Sequence, residues 1–376
     1  MRFPETFTNR PELPMTRVTS HDGHPGWLVT RHATVRQVLT DPRFSARQEL
    51  KRPMFVPVRL SGARRPAAPG WFSGMDAPEH TRYRRHLHTW FTARNLKKLE
   101  PRVTAIAREL VDGMDDPADL VRDYALPIPS RVICEILGVP YADHEFFETQ
   151  TTRILDRDPE VAHAAVAALL AYMRELVEAG PEGGVLAELI ANGSGLGPEE
   201  LANIGLGLLT AGHETTAHMI SLGVLALLEH PDQLAALAAD EGLMGSAVEE
   251  LLRYLSILHL AAPSRAALED VELDGVRVRA GETVTLSLPA ANRDPEVFAD
   301  PDRLDLSRAE AGENLAFGHG AHLCLGHNLA RMEMAVAYRE LFARRPGLRL
   351  AVPAHEVELR ADTIVFGAIS LPVTWG

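Results

Sequence analysis

A single cysteine lies in a short segment that glycines interrupt repeatedly. Residues 317–326 read Phe-Gly-His-Gly-Ala-His-Leu-Cys-Leu-Gly, and the cysteine is Cys324. From Leu325 onward, apolar residues recur every three or four positions, which predicts a helix that begins at the cysteine. Unpaired N–H groups and the helix dipole favour an anion there, so this end of a helix suits a metal-binding thiolate. The glycines allow tight turns and close approach to a flat cofactor.

An acid and a neighbouring alcohol, Glu214 and Thr215, lie in the middle of a long apolar segment. The segment runs from Pro198 to Glu229 with helical periodicity, which predicts one helix of roughly 45 Å at about 1.5 Å per residue. Glycines inside it are unfavourable compared with alanine by up to ~1 kcal/mol each. Because hydroxyls can replace backbone hydrogen bonds at such weak points, we expect a functional irregularity near Thr215.

The same segment offers an alternative, because His213 and Glu214 begin like the H-E-x-x-H zinc site of a protease. A zinc pair on one helical face needs histidines four positions apart. Position 217 is Ala217, and the next histidine is His218, about 100° further round the helix. The spacing therefore argues against a zinc protease.

A possible ion pair precedes the cysteine segment. Glu250 and Arg253 are three residues apart, which places them on one face of a helix and close enough to pair. Ser246 followed by Glu249 resembles a capping box, so we expect this helix to begin at Ser246. Such a pair on its own is commonly a solvated surface pair, which contributes little.

Composition limits the class of protein. The chain has 376 residues, 46% of them hydrophobic, and a net charge of −13, which argues against nucleic acid as a partner. It has two cysteines, and Cys134 lies in an apolar run typical of a core thiol, so we expect no disulfide framework and a reducing, cytoplasmic location. The N-terminus lacks an apolar segment of signal or membrane length, so we expect no membrane association.

The cysteine segment resembles the ligand loop of the cytochrome P450 family. The family pattern F-x-x-G-x-x-x-C-x-G is matched by Phe317, Gly320, Cys324 and Gly326, and the similarity extends over effectively the whole chain. The resemblance implies one P450 domain over residues 1–376, mainly α with a small β region, and a haem b whose iron is bound by the Cys324 thiolate. Phe317 and Gly318 are then expected at the haem.

Further residues acquire roles through this resemblance. Glu214 and Thr215 match the acid and alcohol of a proton relay used in oxygen activation. Glu250 and Arg253 match a buried pair that a third basic residue locks, and Arg303, in Pro-Asp-Arg-Leu, is expected to be that residue. The expected haem-propionate donors are His80, Arg84, Arg265 and His322. His80 and Arg84 are one turn apart and could hold a carboxylate together; for each donor a solvated cation is the alternative.

Electrons are expected from outside the chain. Gly205 and Gly207 follow no predicted strand and lack a third glycine, so they do not form a dinucleotide fingerprint. The resemblance implies a ferredoxin with its reductase. A basic cluster could dock that acidic donor, although a solvated helix face is the alternative. Its members are Arg82, Arg84, Arg85, Arg94, Lys97, Lys98 and Arg102.

We therefore expect an O2-dependent monooxygenase that oxidises an apolar, mid-sized small molecule in secondary metabolism or xenobiotic oxidation. A haem-binding sensor or carrier without turnover is the alternative, and the Glu214–Thr215 pair favours the enzyme because a sensor would not need it. Small or apolar side chains are expected at the substrate pocket; they are Gly207, Ala211, Ala261 and Phe366. The strands are expected near Trp27 and in a hairpin over 271–278.

Overall fold

The computed structural model describes residues 3–4, 14–20, 22–52, 54, 65–154, 158–260 and 263–376. Helices dominate the described residues. Their bounds are α1 His32–Thr40, α2 Glu79–His88, α3 Ala93–Leu96, α4 Glu100–Gly113, α5 Pro127–Leu137, α6 His144–Arg153, α7 Pro159–Ala179, α8 Gly184–Ala191, α9 Pro198–Glu229, α10 Pro231–Ala239, α11 Met244–Leu255, α12 Leu288–Ala291 and α13 His327–Arg344. The mainly α prediction is confirmed, and α9 has the predicted ends.

Short strands form the β region. They are β1 Met15–Thr19, β2 Pro25–Val29, β3 Phe44–Ser45, β4 Ala118–Asp119, β5 Ser264–Ala267, β6 Val271–Leu273, β7 Val276–Val278, β8 Thr283–Leu286, β9 Arg349–Leu350, β10 Leu359–Arg360, β11 Gly367–Ala368 and β12 Pro372–Thr374. The largest sheet has the order β1-β2-β8-β5-β3, in which only β2 and β8 run parallel. β6 and β7 form the predicted hairpin, and Asp274 and Gly275 both have positive φ, as an Asp-Gly turn of this kind requires.

The long helix α9 runs through the helical core and is buried along most of its length. Its glycines allow close packing. A Cβ on Gly205 would lie 2.9 Å from the sulfur of Met173, and one on Gly223 would lie 2.0 Å from the hydroxyl of Tyr338. That hydroxyl donates a hydrogen bond to the carbonyl of Met219. The helical penalty of these glycines is therefore offset by contacts with α7 and α13.

Two predicted helix starts differ from the structure. The helix α11 begins at Met244, so Ser246 lies inside it and donates to the carbonyl of Leu243. The prediction of a capping box was wrong, because the Glu249 side chain pairs with Arg331 instead of with the start of the helix. The helix α13 begins at His327, three residues after Cys324, because a turn at Leu325 and Gly326 comes first.

Among the described helices, none combines the length and apolarity that crossing a membrane requires.

Candidate haem site

The cysteine loop is closed by its own backbone. The N–H of Cys324 donates to the carbonyl of Phe317 at 2.9 Å, and the N–H of Gly318 donates to Leu315 at 2.8 Å. Gly318 and Gly320 both have φ of +72°, and a Cβ on Gly320 would lie 2.7 Å from the carbonyl oxygen of Leu39. The loop therefore needs glycine at 320 for both conformation and space.

The Cys324 side chain is exposed by surface area, yet burial raises the pKa of its thiol. Because protein surrounds the sulfur closely enough to desolvate it, the exposed surface faces an internal space rather than bulk water. A hydrogen bond from the Gly326 backbone and the charges of Arg84 and Arg331 oppose the effect of burial. These contacts do not by themselves produce the thiolate that the helix start predicted. A thiolate here needs a cation at the sulfur, and a haem iron meets that need.

Basic side chains gather beside this loop. The rings of His80 and His322 stack with centroids 4.0 Å apart, and no described residue is a hydrogen-bond partner for Nε2 of buried His80. Burial and neighbouring cations lower the pKa of His322 to about 3, and burial lowers the pKa of Arg265 to about 10. These closely grouped hydrogen-bond donors fit a dianionic ligand such as the two propionates of haem.

Lys51 is a member of this group that the sequence did not indicate. Burial, and then the charge of Arg265, lower the pKa of Lys51 to about 8. The next residue, Arg52, donates its N–H to the hydroxyl of Thr283 at 2.7 Å, and Thr283 pairs with the neighbour of Arg265 in the sheet. Lys51 lies in a loop without a motif, so only the tertiary contact brings it to Arg265.

The side chain of Arg84 makes a contact other than the expected one, in which it and His80 would hold one carboxylate together. Its Nη2 donates to the carbonyl of Leu323, next to Cys324, and burial lowers the pKa of its guanidinium. One arm of Arg84 is therefore used to support the cysteine loop. Phe317 supports the loop from another direction, because the guanidinium of Arg331 lies 4.6 Å from its ring centroid.

The middle of α9 carries an exposed stripe within a buried helix. Ala211 is exposed and Gly207 and Thr215 are half-buried, although the flanking turns are buried. The hydroxyl of Thr215 donates to the carbonyl of Ala211 at 2.7 Å. The helix α9 continues without a break through this turn. The irregularity expected near Thr215 therefore consists of this additional hydrogen bond to the Ala211 carbonyl. An open space therefore lies against α9 at Thr215, and Glu214 is adjacent to it.

The buried ion-pair triad contains a different third residue from the one expected. Arg253 makes two hydrogen bonds of 2.7 Å to Glu250, and both side chains are fully buried. The third partner is Arg308, whose Nε is 3.2 Å from both oxygens of Glu250. The prediction that Arg303 is the third residue was wrong, because its side chain is 65% exposed and faces Asp305. It contributes only its backbone carbonyl, because the loop that follows turns back and brings Arg308 inward.

The pocket predictions have mixed outcomes. Gly207 faces the indole of Trp71, with a Cβ position 3.6 Å from the ring, so this part of α9 accommodates an aromatic side chain that the sequence did not indicate. Phe366 was wrong as a pocket wall because it has no exposed surface and packs against His259. Ala211 keeps its exposed position. Ala261 lies outside the described residues.

Comparison with known proteins identifies the family. The model of the family described as Cytochrome P450 matches residues 242–344. The chain is 48% identical over 374 residues to Cytochrome P450 105C1 of a Streptomyces species, which covers 97% of this chain and 93% of the relative. This chain belongs to the cytochrome P450 family. The Vitamin D3 dihydroxylase of Streptomyces griseolus is 44% identical, covering 96% of this chain and 91% of the relative.

Solved structures agree with this assignment. The crystal structure of GfsF matches with a TM-score of 0.91 and 41% identity, covering 99% of this P450 and 96% of that chain. The P450 fold is therefore confirmed, together with a haem cofactor whose iron has a cysteine ligand. The protein is a monooxygenase, which decides against the sensor or carrier alternative.

Proposed function

We propose that Cys324 is the cysteine that binds the haem iron, near Phe317 and Gly318, and that His80, Arg84, Arg265, His322 and Lys51 hold the haem propionates. The observation that carries this proposal is an enclosed thiol with exposed surface, next to a group of buried basic side chains. Cys134 is a poor candidate because it is buried and its thiol pKa is raised to about 12. Haem b held in this way supplies the activation of O2.

Glu214 and Thr215 are proposed to deliver protons at the open stripe of α9. Thr215 has exposed surface there, and its hydroxyl is held in one orientation by the Ala211 carbonyl. Glu214 is the neighbouring acid, and a carboxyl group is one of the side chains that act as general acids. Because the two residues are adjacent, the carboxyl of Glu214 and the fixed hydroxyl of Thr215 both lie at the open space beside α9.

The proposed substrate is an apolar, mid-sized small molecule of secondary metabolism or xenobiotic oxidation, which is hydroxylated or epoxidised. The small residues Gly207 and Ala211 and the aromatic Trp71 border the open stripe, which favours an apolar ligand. Relatives support the class: one is named pentalenic acid synthase, from Streptomyces avermitilis, at 45% identity. A structural neighbour is the LnmA hydroxylase of the leinamycin pathway, at 42% identity.

The proposed electron donor is a ferredoxin supplied by its reductase. Of the basic cluster, Arg82 pairs with Glu200, Arg102 pairs with Glu135, and Arg84 is turned toward the cysteine loop. Within the described part of the chain, no carboxylate pairs with the remaining four. These four are Arg85, Arg94, Lys97 and Lys98.

Beside this surface lies a concave pocket of about 260 Å³ whose lining includes Arg84, His88, Leu323 and His327. The pocket thus adjoins the outer side of the cysteine loop. An acidic protein that docks on these cations would lie close to Cys324, and electrostatic attraction would accelerate its association.

The domain and compartment follow from the same proposal. We place residues 1–376 in one P450 domain, and the match to the Streptomyces relative over 97% of this chain supports it. A cytoplasmic location suits a chain in which both cysteines are free, since a reducing compartment preserves the thiols.

The haem assignment is tested by spectroscopy of the purified protein. One b-type haem per chain is expected, and the reduced CO complex should absorb at the thiolate-specific position. Cys324→His should remove that band, whereas Cys134→Ser, which changes a buried thiol elsewhere, should keep it. A Cys324→His protein with an unaltered CO spectrum would overturn the assignment.

A further inference from the structure

Two basic side chains converge on one oxygen of Glu214. Nε2 of His218 lies 3.2 Å from Oε1 of Glu214, one turn along α9. Nη1 of Arg360, on strand β10, lies 3.6 Å from the same oxygen. Among the described residues, none donates to Oε2. The two oxygens of Glu214 are therefore unequal: one is held by the protein and the other has no donor.

The ring of His218 is held against strand β11. It is 5% exposed, and a Cβ on Gly367 would lie 2.1 Å from Nδ1 of His218. No described residue is a hydrogen-bond partner for that nitrogen. A proton on Nδ1 would lack an acceptor, so the favoured neutral tautomer carries its proton on Nε2, where it is donated to Glu214.

The hairpin of β10 and β11 carries both parts of this arrangement. Arg360 pairs with Gly367 across the two strands. Arg360 supplies the positive charge near Glu214, and Gly367, opposite it, leaves the space that the ring of His218 occupies. Gly367 does not have positive φ, so its role is to leave space rather than to permit an unusual backbone. One short hairpin thereby fixes two contacts of the same carboxylate.

We propose that His218 and Arg360 are positioning residues that clamp Oε1 of Glu214 and leave Oε2 as the atom that carries the proton. This inference rests on the proposed function of Glu214 and extends it to a strand pair near the C-terminus. An oxygen that accepts a hydrogen bond from His218 and faces the positive charge of Arg360 is a poor site for a proton, whereas Oε2 is open to one.

The clamp also limits where the carboxylate can move. An unrestrained glutamate on a helix samples several rotamers, and the contacts of Oε1 with His218 and Arg360 favour the rotamer observed. The charged and titratable groups around Glu214 are His213 and His218 on α9 and Arg360 on β10. Of these, His213 is buried, and burial lowers its pKa to about 4, so it adds little charge at neutral pH.

The first experiment measures the infrared stretch of CO on the reduced, haem-loaded protein, which responds to nearby charge. A fixed Glu214 should give one narrow band, and His218→Asn or Arg360→Gln should broaden or split it. Arg360→Lys should largely restore the parent band because it keeps the charge. In a Glu214→Gln background, Arg360→Gln should have no further effect. A matched control is Arg349→Gln, an exposed arginine on β9 that bonds the Gly376 carbonyl.

The second experiment is a double-mutant cycle on melting temperature, which does not depend on turnover. Gly367→Ala should lower the melting temperature by several degrees in the parent protein, because the new methyl group displaces His218. The decrease should be much smaller in a His218→Ala background. Equal decreases in both backgrounds would show that His218 does not occupy this space and would overturn the geometry.

The outcomes separate the two proposals. Absence of the thiolate-type CO absorption in the parent protein would overturn the haem assignment. A normal CO absorption with infrared bands that are unchanged in both His218→Asn and Arg360→Gln would overturn the clamp alone.

Discussion

Nε of Arg308 is 3.2 Å from each of the two oxygens of Glu250, in a part of the fold where both side chains are buried. Arg308 also donates to the carbonyls of Ala299, Asp300 and Arg303. One guanidinium therefore joins the carboxylate of α11 to a loop that is distant in sequence. Removing it would take one of two cations from buried Glu250, which keeps Arg253, and would remove a donor from three carbonyls.

We expect Arg308→Ala to lower the free energy of unfolding of the haem-loaded protein by roughly 1.5–3 kcal/mol, because it removes a charged donor from a buried carboxylate that Arg253 still pairs. Arg303→Ala is the control and should cost about 1 kcal/mol or less, since that side chain is 65% exposed. Urea titration followed by circular dichroism measures both. Similar losses in the two variants would contradict the role given to Arg308.

Thr215→Ala should leave haem and ligand binding intact and divert electrons to hydrogen peroxide, because the fixed hydroxyl at the open stripe is lost. Glu214→Gln should slow turnover through proton delivery, by ~10²-fold or more. Thr210→Ala is a matched control, because Thr210 makes the same kind of bond, to the carbonyl of Leu206. The measurement is peroxide formed per NADPH consumed with a ligand found by spectral screening. Unchanged ratios in Thr215→Ala and unchanged rates in Glu214→Gln would remove both residues from the mechanism.

Charge reversal at Lys97 and Lys98 should slow electron transfer from a ferredoxin without altering ligand affinity. Association of the parent protein should weaken steeply with salt, because exposed charges more than about 10 Å apart are screened at 0.1 M ionic strength. Arg277→Glu, on the hairpin of β6 and β7, controls for the change in net charge. Stopped-flow reduction at several salt concentrations gives the rates. A flat salt dependence would favour a merely solvated surface.

The indole of Trp71 should limit ligand size at Gly207. Trp71→Ala is expected to admit bulkier ligands, and Gly207→Phe should displace the indole and block them, while both keep their haem. Ligand-induced shifts of the haem absorption measure affinity across a series of increasing size. Trp90→Ala is the control, because the indole of Trp90 bonds Glu188. If all three variants have the affinities of the parent, Trp71 does not border the pocket.

The buried carboxyl of Glu333 should make stability depend on pH. Burial raises its pKa to about 8, and no described residue is a hydrogen-bond partner for its Oε2. The folded protein keeps the proton while the unfolded chain loses it near pH 4.5, so stability is complete below that pH and falls as pH rises toward 8.

Glu333→Gln removes this dependence. It should stabilise the protein by on the order of 4 kcal/mol at pH 8 and have little effect near pH 4. Exposed Glu310→Gln should show no such trend. Unfolding curves at a series of pH values test this. An equal effect of Glu333→Gln at both pH values would mean that the carboxyl does not stay protonated in the folded state.

The sequence by itself determined the family, the cysteine loop and the ends of α9, because these depend on local signals: a spaced motif, an apolar period and helix-terminating residues. The buried pair of Glu250 and Arg253 was also visible, since both residues lie on one helical turn. Such features need no knowledge of which distant segments meet.

Only the tertiary structure decided the partners that come from elsewhere in the chain. Arg308 replaced Arg303 because a loop turns back toward α11, and Lys51 reaches Arg265 because the next residue, Arg52, is bonded to Thr283 of the sheet. Arg360 meets Glu214 because a two-strand hairpin lies beside α9, at a separation of more than a hundred residues. Side-chain contacts of this kind depend on the packing of segments that are far apart in sequence, which no local spacing encodes.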